Sequence, residues 1–135
     1  MNGENRRTPM PSVMALAYLG DARHALYVRR MLVLRGISKS RELNDAALDY
    51  VTAEAQARAY GRIEKMLTDG ERDVFRRAFN SSHLNKPKHA SGRDYRTATG
   101  FEALIGLLEW LADGERIEFL LNEAYKEDKE NDTED

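Results

Sequence analysis

Apolar residues recur at helical spacing along most of the chain. Behind Ser12 come Val13, Met14, Leu16, Ala17 and Leu19, then Ala22, Ala25, Leu26, Val28, Met31 and Leu32. This period of three to four predicts one long helix from Ser12 to near Gly36. Ser12, with Pro11 ahead of it, is a start signal, and Gly36 is a stop. Gly20, inside the run, marks a bend or a close contact with another helix. Ser38 or Ser40 opens a second helix with the stripe Leu43, Ala46, Ala47 and Tyr50. The stretch Val51-Thr52-Ala53-Glu54-Ala55-Gln56-Ala57 starts or continues a long helix to about Leu67. Thr68-Asp69-Gly70-Glu71 has the form of a capping box, and a helix from about Glu71 to Phe79 follows it. A strongly apolar helix spans Tyr95 to Leu111. After the break at Asp113-Gly114-Glu115, Arg116 to Tyr125 forms a last helix with Ile117, Leu120, Leu121 and Ala124 inward. Prolines stand only at 9, 11 and 87, and β-branched residues are sparse and never alternate with polar ones. The fold class is therefore all-α.

The period fails from Asn80 to Asp94. A structureless connection of that length is usually functional or mobile. The 135 residues, 41% of them hydrophobic, suit one domain. We divide the chain into a disordered segment, 1–11, a folded domain, 12–125, and an acidic flexible tail, 126–135. The absence of cysteine excludes disulfides and thiolate zinc sites. No apolar run reaches about 18 residues, and Met1 to Arg7 lacks the apolar core of a signal peptide. The expectation is a soluble cytoplasmic protein. The net charge of −2 hides an asymmetry: Asp113 to Asp135 carries ten acids and three bases, which leaves residues 1–112 at +5. Seven bases and two acids lie between Arg72 and Arg96, so the positive charge gathers beside the aperiodic segment and suits a polyanion.

Two acids sit among apolar neighbours. Asp21 follows Leu16-Ala17-Tyr18-Leu19-Gly20, and Glu102 lies within Gly100-Phe101-Glu102-Ala103-Leu104-Ile105-Gly106. A buried carboxylate without a partner shifts its pKa or finds a counter-charge, and two converging carboxylates suit a hard divalent cation such as Mg2+. The plainer alternatives are an N-cap role for Asp21 and an ion pair of Glu102 with Arg29 or Arg96. Glu109 could extend the acidic face or be solvated. His24, His83 and His89 have no zinc spacing, and no phosphate-binding loop is present.

These same residues carry a resemblance. Leu16-Ala17-Tyr18-Leu19-Gly20-Asp21-Ala22 resembles the signature of the ribonuclease III family, and Phe101-Glu102-Ala103-Leu104-Ile105-Gly106 resembles its second acidic motif. With Val51-Thr52-Ala53-Glu54-Ala55-Gln56-Ala57, Pro87-Lys88 and Tyr95-Arg96-Thr97-Ala98-Thr99-Gly100, the match is closest to the Mini-ribonuclease III form, which is the catalytic domain alone. Met14, Ala17 and Thr99 stand where the full-length family has further carboxylates, a loss shared with the Mini form. Phe79 replaces an arginine of the family's Arg-Gly-Arg-Asn block, and His89 departs from its Pro-Lys-Asn segment. No double-stranded-RNA-binding domain is expected after the tail.

The resemblance implies a homodimeric helical bundle that hydrolyses phosphodiesters of double-stranded RNA with Mg2+, or with Mn2+ as a substitute. It implies Asp21 and Glu102 as catalytic metal ligands, and Arg77, Asn80, Lys86, Lys88, Arg93 and Arg96 as RNA contacts. Precursor RNA of the large ribosomal subunit is the substrate it suggests. The apolar surplus expected to serve the dimer, or else to fill the core of one subunit, is Met14, Leu26, Phe101, Leu104 and Leu108, while Tyr18 and Tyr95 read as packing residues. Two other functions compete: a non-catalytic dimeric RNA-binding or assembly module, and a helical regulator whose acids are buried ion pairs.

Overall fold

Local signals set the helix ends in the computed structural model, which describes residues 9–82 and 92–126. Ser12 caps the first helix, α1 (Val13–Leu34), by accepting from the Ala15 amide at 3.1 Å. Gly36 ends the segment with φ 90°, a conformation that glycine adopts at no steric cost. Then come α2 (Ser40–Val51) and α3 (Ala53–Ile63), with a 3-10 turn, Glu64–Met66, after them. The capping box at Thr68 and Glu71 forms in both directions, at 3.2 and 2.9 Å, and starts α4 (Asp69–Ser81). The last two helices are α5 (Gly92–Trp110) and α6 (Gly114–Ala124), the latter capped by Asp113. No strand occurs among the described residues. No described helix is long and apolar enough to cross a membrane.

One boundary departs from the pattern. The expected run through Val51 breaks at Thr52, whose backbone is extended and whose hydroxyl accepts from the Ala55 amide at 3.2 Å. Threonine here is a cap, and the chain turns a corner between α2 and α3.

α5 is the axis of the bundle. Every residue from Ala98 to Leu108 is buried except Glu102, so the helix is apolar around its whole circumference. α1 crosses it, α3, α4 and α6 pack against it, and α2 lies against α1. Val28, Leu32, Ile63, Phe101, Leu104 and Leu121 fill the centre. Each such side chain contributes about 1.5–3 kcal/mol of transfer free energy. Phe101, Leu104 and Leu108 are thus core residues, not surplus for a partner. Met14 and Leu26 do remain exposed, and Tyr18, expected to pack, is 85% exposed. Of the exposed large apolar side chains, Met14, Tyr18, Leu26, Val33 and Leu34 lie on α1. Residues 1–8, 83–91 and 127–135, which include Lys86, Lys88, His83, His89 and nearly all of the acidic tail, lie outside the described residues.

Candidate active site

Two glycines bring the helices that carry the acids into backbone contact. A β-carbon added to Gly20 would lie 1.7 Å from the Glu102 carbonyl oxygen, and one added to Gly106 would lie 1.8 Å from that of Leu16. No side chain of any size fits at either position, so α1 and α5 touch main chain to main chain. Asp21 directly follows Gly20, and Glu102 lies one turn before Gly106. The crossing therefore sets both carboxyl groups at one point, within hydrogen-bonding distance of each other.

Their electrostatics follow from that placement. Burial, then the hydrogen bond with Asp21 and the negative charge of Asp21, push the Glu102 carboxyl up to about 8; a hydrogen bond from Gln56 pulls it partly back. At neutral pH the Glu102 carboxyl therefore favours its protonated form. Among the described residues Glu102 forms no ion pair with Arg29, Arg96 or any other base. Asp21 lies inside α1, so it is not an N-cap. Both plain alternatives are thereby removed. Two carboxyl groups drawn together, with no base paired to either among the described residues, are a pair that a hard cation would neutralise on displacing the proton. Among the described residues no group of three or more His, Cys, Asp or Glu side chains could hold a metal. The donor set is two carboxylates, which fits Mg2+, an ion that usually keeps several of its waters.

Gln56 completes the site, and residue-by-residue reading of the sequence gives it no role. It is 3% exposed on the inner stripe of α3 with Ala59, Tyr60 and Ile63. Its Nε2 donates to the Val51 carbonyl at 3.1 Å and to Glu102 Oε2 at 3.4 Å, while its Oε1 is buried without a hydrogen-bond partner. A lone amide on an otherwise apolar helical stripe is the signal that the sequence offers.

Other neighbours are excluded from the chemistry. His24, three residues past Asp21, turns inward, contacts the Tyr125 hydroxyl at 2.6 Å and is 1% exposed. Burial lowers it to about 4 despite the opposing charge of Asp21, so it is neutral and structural. Glu109 pairs with Arg23 at 3.3 Å. Thr99 is buried, and its hydroxyl donates to the Tyr95 carbonyl at 3.0 Å.

Asp21 opens onto a groove of about 690 Å³ between α1 and α2, lined also by Arg29, Ser40 and Asn44. The expected RNA contacts that fall on described residues flank the passage from α4 to α5. Arg77 and Asn80 sit in the last turns of α4, with Arg77 bound to Asp73 at 3.0 Å. Arg93 is exposed in the first turn of α5, and the Arg96 guanidinium stacks 5.6 Å above the Phe79 ring. Phe79, the departure from the expected arginine, thus supports a second cation. Arg96 precedes Glu102 by six residues of helix, about 9 Å of rise.

Known proteins resemble this chain over most of its length. A family model described as the Ribonuclease III domain matches residues 14–110. The chain is 40% identical over 111 residues to the Mini-ribonuclease 3 of Streptococcus pneumoniae, covering 81% of this chain and 87% of that protein. It is also 40% identical over 111 residues to the Mini-ribonuclease 3 of Symbiobacterium thermophilum, covering 82% and 85%. A crystal structure of a Fusobacterium nucleatum protein superimposes with a TM-score of 0.78 at 29% identity, over 87% of this chain and 93% of that one.

Proposed function

The chain belongs to the ribonuclease III family and is an endoribonuclease, and we propose that it hydrolyses phosphodiesters of double-stranded RNA with Mg2+ held by Asp21 and Glu102. The observation that carries this reading is the hydrogen-bonded contact of these two carboxyl groups at the α1–α5 crossing, with no ion pair to either among the described residues. Mg2+ bound there would supply charge neutralisation at the scissile phosphate and lower the pKa of a coordinated water; Mn2+, which also favours carboxylate and water ligands, is a substitute. The residues of the chain do the rest. The glycine crossing fixes the spacing of the ligands. The core around Glu102 excludes bulk water and strengthens local electrostatics. Asp21, at the mouth of the groove, faces the substrate. Arg93 and Arg96, with Arg77 and Asn80 behind them, are proposed to hold the duplex by phosphate and 2′-hydroxyl contacts, and Lys86 and Lys88 join them in the reading. Shape and backbone recognition of this kind suits A-form RNA.

A homodimer follows from the same reading. Cutting both strands of a duplex calls for two sites related by a twofold axis. Met14, Tyr18, Ala22 and Leu26 succeed one another at i, i+4 spacing on α1, all exposed, and flank Asp21. This stripe supports self-association beside the site. The proposed natural substrate is precursor RNA of the large ribosomal subunit, which puts the enzyme in the cytoplasm.

The test is incubation of the protein with a long RNA duplex in Mg2+ or in EDTA. Cleavage should require the metal and should vanish in Asp21→Asn and Glu102→Gln while both variants stay folded. Salt-sensitive binding without cleavage would instead favour a non-catalytic RNA-binding module.

A further inference from the structure

We propose that Gln56 is a positioning residue for Glu102, its side-chain amide locking the carboxyl in the orientation from which it faces Asp21 and a divalent cation. The inference rests on the reading of Glu102 as a metal ligand. It begins from the two hydrogen bonds of Nε2, at 3.1 Å to the Val51 carbonyl and 3.4 Å to Glu102 Oε2. They use both amide protons and fix which way round the amide stands. Turned over, Oε1 would confront two oxygens.

The anchor of this clamp is main chain. Val51 ends α2, and the corner between Val51 and Ala53 is held by the Thr52 cap. The clamp therefore ties the Glu102 side chain on α5 to a fixed point on the neighbouring helices. The other end of the amide argues against a purely structural role. Oε1 is buried and unpartnered, which leaves a desolvated acceptor as a cost to the fold. A methionine would fill similar space at α3 without that cost. The donor end is what distinguishes glutamine here. Its neutrality matters as well. Lysine or arginine at this point would form an ion pair with Glu102 and compete with the cation, whereas an amide orients the carboxylate and leaves its charge available. The contact to Glu102 is long, and hydrogen bonds of this type shorten when the acceptor is ionised.

The experiment measures Mn2+ binding by electron paramagnetic resonance on the full chain, for the wild type, Gln56→Met and Glu102→Gln, beside the Mg2+ concentration for half-maximal cleavage. Gln56→Met should bind Mn2+ about tenfold to a hundredfold more weakly and should need correspondingly more Mg2+, with a thermal midpoint in EDTA no lower than wild type. Undiminished Mn2+ affinity in Gln56→Met, beside lost affinity in Glu102→Gln, overturns the positioning role and leaves the metal site standing. Undiminished affinity in Glu102→Gln removes the metal site and this proposal together. A wild-type measurement covers the case in which Gln56→Met does not fold. The Gln56 side-chain amide resonances should move as Mg2+ is titrated in, and resonances that stay fixed while Mg2+ activates cleavage overturn the proposal.

Discussion

Replacing Glu102 by glutamine should stabilise the metal-free protein, and should do so only above acidic pH. The Glu102 carboxyl is raised from 4.5 to about 8 by burial and by Asp21. In the unfolded chain it ionises near its ordinary value. Between these two values the folded state holds a proton that the unfolded state has released. Stability is therefore complete below pH 4.5 and is lost as pH rises toward 8. Each tenfold difference in proton affinity between the two states is worth about 1.36 kcal/mol, so the loss between about pH 5 and pH 8 amounts to roughly 3 kcal/mol, approaching about 5 at higher pH. Glutamine keeps the shape and the donor toward Asp21 and does not titrate. Urea denaturation in EDTA, across that pH range, isolates the effect of the site as the wild-type minus variant difference, because groups remote from it titrate alike in both. The wild type should fall relative to Glu102→Gln by about that amount. Saturating Mg2+ should restore the wild type and leave the variant unchanged. Parallel pH profiles in EDTA, or a variant less stable than wild type at pH 8, would refute the picture of two acids compressed by the fold.

His24 carries the opposite sign. Its imidazole is lowered from 6.5 to about 4, so stability is full above 6.5 and about 3 kcal/mol is lost as pH falls to 4; the ring resonances should show no midpoint above about pH 5, and one near 6.5 would contradict its burial against Tyr125. Gly20→Ala forces a methyl to within 1.7 Å of the Glu102 carbonyl and should cost at least about 3 kcal/mol by overpacking, measured by chemical denaturation. Gly61→Ala on α3, with nothing within 4 Å of the added carbon, should instead be neutral or stabilising by up to about 1 kcal/mol.

Much of this is legible in the residues, for identifiable reasons. The capping box at Thr68 and the stop at Gly36 are local signals, complete within four residues, and the structure reproduces both. The contact of Asp21 with Glu102 is legible because acids inside apolar helical runs demand partners. Gly20 is readable as a helix contact, but not which helix it meets, since that depends on Gly106 far along the chain. Phe101, Leu104 and Leu108 belong to the core and not, as their pattern suggests, to a partner surface. Periodicity separates an apolar face from a polar one, and α5 has no polar face, so the pattern does not tell a central helix from an interface helix. Tyr18 misleads in the reverse direction, since an aromatic on an apolar run reads as core even when it is exposed. Gln56 escapes notice because its value lies in one donor atom aimed at a residue forty-six positions away.

The glycine crossing has a consequence for how this molecule tolerates change. Where helices meet through bulky side chains, each exchange of a core residue nudges their axes, and anything mounted on them moves too. Here the gauge between the two carboxyl groups is a stack of peptide atoms, whose radii no mutation alters. Hydrophobic residues elsewhere in the bundle can be traded for others of similar volume while the two carboxyl groups keep their calibration, so tolerance and accuracy reside in separate parts of one small protein.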